Sequence, residues 1–327
     1  MFENKKILIT GGTGSLGKAL TKEIFHKHPE TGRVIVFSRD EQKHFQMRED
    51  FSIEKFPKLQ FLIGDVRDYE SVKSACKGVD YIIHAAAMKH VHLSEMNPEE
   101  CIKTNVLGAQ NIIKAANSIG SIKSVVALST DKACAPVNLY GATKLTSDKL
   151  FIAANNNSTK TYHSVVRYGN VMSSNGSVIP FFLNRKTTGT LPITDPEMTR
   201  FNITLKEGAN MVLFALKNAW GGELFVPKIP SYNILDLAKA IDPKCNTKII
   251  GIRPGEKVHE EMISSSDSYN TYDIGKYYVI LPTNIKWKLQ DFIEKFKANK
   301  VPAGFNYNSK ENNDFLTVKE LRALIYS

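Results

Sequence analysis

Residues 7–20 read ILITGGTGSLGKAL: an apolar run, a cluster of glycines, then a segment of helical period. Gly12, Gly14 and Gly17 satisfy G-x-G-x-x-G, and Gly11, Gly14 and Gly17 satisfy G-x-x-G-x-x-G. A glycine repeat alone marks only a tight turn. Between a strand and a helix it lets backbone amides approach a pyrophosphate, whose charge then sits at the helix N-terminus. Gly11, Thr13, Gly14, Ser15, Leu16 and Gly17 are therefore the expected cradle of a dinucleotide.

The alternation of strand and helix continues downstream. Short β-branched runs at 5–10, 33–38, 59–64, 81–86, 124–129 and 163–168 read as strands. Their near-continuous apolar character suits parallel strands covered on both faces. Helical period fills 15–26, 40–50, 71–76, 99–119 and 139–155. The expected fold is α/β, a doubly wound parallel (Rossmann) sheet with right-handed crossovers. Beyond Tyr168 the chain turns rich in Gly, Ser, Asn and turn signals, which suits a smaller C-terminal substrate-binding lobe. The expected division gives 1–170 to the dinucleotide domain, with the chain returning at about 204–240, and 171–203 and 241–327 to the lobe.

Composition narrows the classes. The 327 residues suffice for one long or two medium domains, and 42% hydrophobic with 23% charged residues is ordinary for a soluble globular chain. No apolar stretch approaches the roughly 20 residues of a membrane helix, and MFENKKILIT enters a strand without a signal peptide. Membrane association is not expected; a cytoplasmic setting is. The four cysteines are scattered without a CxxC pair, so neither a disulfide framework nor a metal site is expected. A net charge of +10 accompanies no nucleic-acid motif and no basic block. It reads as a solvated basic surface that favours anionic small molecules.

The second strand ends VIVFSRDEQKHF, about twenty residues past the glycines. An acid at this tip binds the ribose 2′-hydroxyl of NAD, whereas Arg pairs with the 2′-phosphate of NADP. Ser38 occupies the tip, Arg39 follows, and Lys43 lies one turn into the helix. Asp40 competes but reads equally well as the helix N-cap. NADP is the expected cofactor. Asp65 and Val66 of GDVRD, Ala85 and Lys89 of HAAAMKH, Asn105 and Val171 lie along its expected path.

Residues 127–144, ALSTDKACAPVNLYGATK, carry the chemistry. Tyr140 and Lys144 are four apart and share a helix face. An ammonium beside a phenol lowers its pKa from about 10 toward neutrality, which suits a base that removes a hydroxyl proton during hydride transfer.

Together these motifs resemble the extended short-chain dehydrogenases/reductases, and RPGEKVHE (253–260) resembles the tail of their nucleotide-sugar branch. GDVRD, HAAAMKHV, CIKTN, LSTDKA, PVNLYGATK, RYGNV, GSVIPFF, PITDPEMTRF and KIIGIRPGEKVHE span nearly the whole chain. They resemble the inverting UDP-N-acetylglucosamine 4,6-dehydratases of bacterial surface-sugar biosynthesis. Retaining relatives carry Thr-Asp-Glu where this chain has Thr130-Asp131-Lys132. The resemblance implies that Lys132 removes the proton at sugar carbon 5 and that Asp131 protonates the departing 6-hydroxyl. Thr130 would bind near the 4-oxygen, while Tyr140 and Lys144 serve oxidation at carbon 4. A lysine base needs its pKa depressed by desolvation or nearby cations.

The same resemblance implies UDP-N-acetylglucosamine as substrate, tightly bound NADP recycled in each turnover, a homo-oligomer, and no metal. The product would be a UDP-linked 2-acetamido-2,6-dideoxy-L-hexos-4-ulose, on the way to pseudaminic acid or another L-amino sugar. Arg253 matches a diphosphate ligand and Glu256 an acid contacting the ribose or sugar. Lys89, Asn170, Ile179, Phe182 and Thr194 match the pocket lining, and Arg200 a second diphosphate contact. Ile179 and Phe182 read equally as core packing. Asn175 and Asn202 depart from the Arg and the aromatic usual there. A UDP-sugar 4-epimerase shares fold and Tyr/Lys pair but needs no acid and amine after the Thr. A non-catalytic dinucleotide sensor would need none of the four residues together.

Overall fold

The structure, a computed structural model, describes residues 2–157, 160–172 and 177–326. Strands β1 (Lys6–Thr10), β2 (Arg33–Ser38), β3 (Leu59–Ile63), β4 (Tyr81–His84), β5 (Ser124–Thr130) and β6 (Tyr162–Tyr168) lie parallel in the order 3-2-1-4-5-6. This is the doubly wound Rossmann sheet. The order reverses between β1 and β4, the switch point where such a sheet opens a crevice beyond its strands' carboxyl ends. Ile7, Leu8, Ile9, Val34, Val36, Val125 and Val126 are fully buried, because flanking helices cover the sheet. Helix Ser15–Lys27 packs against Leu205–Asn218, and Tyr69–Ala75 against Gly108–Ile119.

The remaining strands are β7 (Asn170–Val171), β8 (Thr190–Ile193), β9 (Thr199–Ile203), β10 (Leu224–Pro227), β11 (Ser231–Asn233), β12 (Asn246–Ile249), β13 (Glu261–Ile263), β14 (Thr271–Asp273), β15 (Tyr277–Ile280), β16 (Asn299–Lys300) and β17 (Tyr307–Asn308). β10 adds to β6 in parallel; β15, β14 and β16 then extend the sheet antiparallel to ten strands. The sequence placed all of 241–327 in the smaller lobe, but its strands β14, β15 and β16 belong to this large sheet. β14 and β15 form a hairpin whose turn is fixed by Gly275 at φ +86° and by its amide donating to Asp273 Oδ1 at 2.8 Å. Tyr272, Tyr277 and Val279 bury their side chains in the main core, which rewards the added strands.

A second core holds Met172, Ile179, Phe182, Leu191, Ile193, Tyr232, Leu237 and Leu321. It lies among helices Val178–Arg185, Ile234–Ile241 and Val318–Tyr326 and strands β8 and β11. β7, β9 and β11 form a three-stranded sheet, and β9 and β11 carry residues to the site described below. Among the described residues no helix is long and apolar enough to cross a membrane.

Candidate active site

The glycine turn fits a pyrophosphate. Gly11 sits at φ +65°, and a Cβ there would lie 2.7 Å from the Ala86 nitrogen. A Cβ on Gly17 would lie 2.2 Å from the Gly12 carbonyl oxygen, so the helix rests directly on the turn. Gly14 caps helix Ser15–Lys27 without any side-chain cap, which leaves the first amides open to an anion.

At the tip of β2, Ser38 Oγ accepts from Thr13 Oγ1 at 3.0 Å. Asp40 is the N-cap of helix Glu41–Asp50: its carboxylate accepts from the Lys43 amide at 3.0 Å. Arg39 is exposed, 3.7 Å from Asp65. Asp65 is engaged chiefly by Arg67, whose Nε donates at 2.9 Å and Nη2 at 2.6 Å; these contacts outweigh burial and hold the carboxyl below its ordinary range. The Val66 carbonyl accepts from Asn111. Val171 in β7 packs against the main core. Ala85 and Lys89 lie in the segment leaving β4.

Asn105 is buried in a π-helical turn, Lys103–Leu107, which interrupts the helix expected over 99–119. It accepts from the Met88 amide at 2.8 Å and donates to the Met88 carbonyl and to Thr143 Oγ1, both at 3.0 Å. One side chain thus ties the β4 exit to the helix that carries Tyr140 and Lys144. Helical π-turns concentrate at functional sites.

β5 delivers Thr130, and a 3₁₀ turn over Asp131–Ala133 follows. Thr130 Oγ1 donates to Asp131 Oδ1 at 2.9 Å. Lys132 Nζ lies 3.1 Å from Asp131 Oδ1 and 3.1 Å from Glu260 Oε1. Arg200 Nε lies 3.7 Å from the same Glu260 oxygen. Asp131 and Glu260 are both buried. Burial raises the Asp131 pKa against the pull of Lys132, favouring the neutral acid. Burial also presses on Glu260, but Lys132 and Arg200 outweigh it and hold that carboxyl ionised.

Two expectations are corrected here. Burial would lower the Lys132 pKa, but Asp131 and Glu260 overcome it and raise the ammonium above its ordinary value, the reverse of what a free lysine base requires. Burial pushes the Tyr140 phenol up to about 12, and the cation that bears on it most is Lys132, with the Thr130 hydroxyl assisting. Lys144, itself buried, has its pKa lowered by burial and faces Asp148. The phenol is therefore neutral, and the i,i+4 spacing alone does not activate it.

The 253–260 segment docks on the turn that follows β5. Asn138, N-cap of helix Leu139–Ala154, donates its Nδ2 to the Gly255 carbonyl at 2.7 Å, and Lys257 Nζ donates to the Cys134 carbonyl at 2.7 Å. Between them Ala135 adopts φ +43°, a left-handed backbone rare for a non-glycine residue. Arg253 is exposed and 3.6 Å from Glu256. Arg200 is not a free diphosphate ligand: its Nη1 donates to the Thr199 and Val258 carbonyls and its Nη2 to Lys257. Ile179 and Phe182 are 3% and 2% exposed in the second core, so both pack the interior and neither lines open space. Thr194 is half-buried just past β8, and Asn170 hydrogen-bonds Tyr232. Asn202 is buried in β9 opposite Asn170; Asn175 lies outside the described residues.

Three residues of the site escaped the sequence reading. Asp148 stands four beyond Lys144 and eight beyond Tyr140, a helical repeat that marks one face. It pairs with Arg167 at 3.3 Å and accepts from Ser129 at 2.7 Å. Glu260 closes RPGEKVHE, but nothing in an isolated motif tells a buried acid from a solvated one. Tyr232, buried near Lys132 and Asp131, carries no local signal at all.

The family model described as polysaccharide biosynthesis protein matches residues 7–282. The chain belongs to this family. It is similar to the UDP-N-acetylglucosamine 4,6-dehydratase (inverting) of Campylobacter jejuni serotype O:2, 52% identical over 99% of this chain and 98% of that one. It is also similar to the UDP-glucose 4-epimerase of Rickettsia bellii, 44% identical over 86% of this chain and 84% of that one. Among solved structures, Pen from Bacillus thuringiensis superposes with a TM-score of 0.89 at 37% identity, covering 100% of this chain and 98% of that one.

Proposed function

We propose that the chain is an inverting UDP-N-acetylglucosamine 4,6-dehydratase, a hydro-lyase that yields a 4-keto-6-deoxy sugar with inversion at carbon 5. The observation that carries the reading is the buried acid–ammonium pair Asp131–Lys132 at the carboxyl end of β5, in the electrostatic reach of Tyr140. Removing water from carbons 5 and 6 needs a base for one and an acid for the other; oxidation at carbon 4 alone needs only a base for the hydroxyl proton. The similarity to the Campylobacter jejuni dehydratase over nearly the full length supports the same assignment.

A dinucleotide whose pyrophosphate rests on Gly11 to Gly17 would supply the hydride exchange at carbons 4 and 6. Arg39, Lys43 and Lys89 favour the 2′-phosphate of NADP: Lys43 lies close enough to Lys89 to add to the lowering of its ammonium pKa that burial begins. Asp40, the acid that would favour NAD, is engaged as a helix cap. Tyr140, neutral at rest, releases its phenol proton to solvent, with Lys132 and the Thr130 hydroxyl favouring the phenolate, and then takes the 4-hydroxyl proton. Lys132 then takes the carbon-5 proton, which a ketone at carbon 4 acidifies. Asp131, whose pKa burial raises, gives its proton to the departing 6-hydroxyl. Arg253 engages the diphosphate, where a planar fork of donors suits phosphate better than a lysine.

The chain should act on a cytoplasmic nucleotide sugar as a homo-oligomer. Leu93, Met96, Ile102 and Leu107, all 42–65% exposed on neighbouring helices, support a self-association surface that light scattering would test.

An epimerase is the second reading, favoured by the Rickettsia bellii relative. Incubation with UDP-N-acetylglucosamine, read by mass spectrometry and proton NMR, separates the two. The dehydratase gives a product lighter by one water with a new 6-methyl signal. An isomer of unchanged mass would establish the epimerase instead.

A further inference from the structure

Lys132 carries one proton too many for a base. Its Nζ bridges two buried carboxyls at 3.1 Å each, Asp131 Oδ1 and Glu260 Oε1. The second oxygens, Asp131 Oδ2 and Glu260 Oε2, are buried with no partner among the described residues. Both sides of the ammonium are thus acceptors sealed from solvent. They are not equivalent: Arg200 Nε stands 3.7 Å from Glu260 Oε1, whereas Asp131 Oδ1 receives only the Thr130 hydroxyl besides Lys132.

We propose that Glu260 is the proton store of the site, the group to which Lys132 passes its surplus proton before it acts at carbon 5. The proposal rests on the dehydratase reading and adds to it. The proton moves from Nζ to Oε1, leaving a neutral amine beside a neutral carboxyl; nothing is oxidised or reduced. Lys132 then regains a proton from carbon 5, and Asp131 loses one to the departing hydroxyl, which leaves as water. Transfer from Lys132 to Asp131, and from Glu260 to Lys132, restores the starting protonation of the chain, while carbon 5 takes a proton from solvent on the opposite face in exchange for the one that oxidation at carbon 4 releases to solvent through Tyr140. Glu260 works through Lys132, so it is a positioning residue. The other groups facing this bridge are Tyr140 on the following helix, Arg200 on β9, Tyr232 on β11, and Lys257 in the loop before β13. None of them offers Nζ a second ionised carboxylate.

The test titrates Lys132 directly. Competitive acetylation of the whole protein across pH, read by peptide mass spectrometry, gives the midpoint at which Lys132 becomes a free amine; its side chain is 25% exposed, enough for a small reagent. In the wild type the midpoint should lie above that of the exposed lysines. Glu260→Gln should lower it by about one pH unit or more, a tenfold larger free-amine fraction, and Glu260→Asp should restore it. With UDP-N-acetylglucosamine, the ascending limb of carbon-5 exchange in Glu260→Gln should move to lower pH by the same amount. A Gln variant whose midpoint and pH limb match the wild type would overturn the proposal. If that variant fails to fold, a wild-type Lys132 midpoint at or below the exposed lysines overturns it equally. The labelling needs no substrate: a shifted midpoint in a protein that does not dehydrate the sugar would count against the dehydratase reading alone.

Discussion

Asp131 and Lys132 are adjacent in sequence, yet the chain gives them opposite protonation demands. Burial raises the Asp131 pKa, whereas the carboxyls beside Lys132 overcome burial and raise that of its ammonium. Asp131→Asn should leave carbon-5 exchange measurable while slowing water loss by roughly 10²–10⁴-fold, the usual worth of a general acid. Equal loss of both would mean that Asp131 only positions Lys132. At this scale the sequence was legible where chemistry is written as spacing: the Thr-Asp-Lys triplet and the Tyr/Lys pair are visible as strings. It was illegible where a partner comes from 128 positions away, as Glu260 does. The pKa expectations for Lys132 and Tyr140 failed in part for that reason: Glu260 adds to Asp131 at Lys132, and burial, which only the fold creates, raises Tyr140.

Elements place these residues through a few backbone contacts. The helix bearing Tyr140 starts at Asn138, whose Oδ1 accepts from the Gly141 amide at 2.8 Å while its Nδ2 grips Gly255. Asn138→Ala should therefore cost about 1–2 kcal/mol of stability, seen as a lower melting midpoint, and should also slow turnover by loosening the catalytic turn. Turnover unchanged at full stability would show that the Gly255 clamp is idle. In the dinucleotide turn, Gly17→Ala sets a methyl against backbone that cannot rotate away. It should abolish cofactor binding in a fluorescence titration and destabilise the domain by about 1–3 kcal/mol. Retained binding would contradict the close packing described for this turn. The glycine spacing was readable because a close approach leaves a compositional mark. The π-turn at Asn105 was not, because a one-residue insertion in a helix leaves the apolar period nearly intact.

On the scale of the whole molecule, the six parallel strands could be read from their unbroken apolar runs, and the structure places them in the order their crossovers imply. The antiparallel extension β14–β16 was missed because strands of two to four residues between polar turns carry too little periodicity. Two histidines in this sheet make stability depend on pH. Burial lowers His84 to about 3 and His163 to about 4, so both stay neutral in the folded protein. Unfolding returns them to about 6.5, where the unfolded chain binds the extra protons. Their contribution is therefore fully present above about pH 6.5 and is lost as pH falls from there toward 4 for His163 and 3 for His84. The melting midpoint should drop across that window, and His163→Gln should flatten the drop; an equal slope in the variant would remove His163 from the account. In the proposed reaction this whole assembly removes water from a nucleotide sugar by way of Lys132. The most direct test is turnover of UDP-N-acetylglucosamine in deuterated water, with the product read by NMR. A 4-keto-6-deoxy product of L-configuration with deuterium at carbon 5 is expected, and it should vanish in Lys132→Ala; a 4-epimer without solvent deuterium would contradict the account.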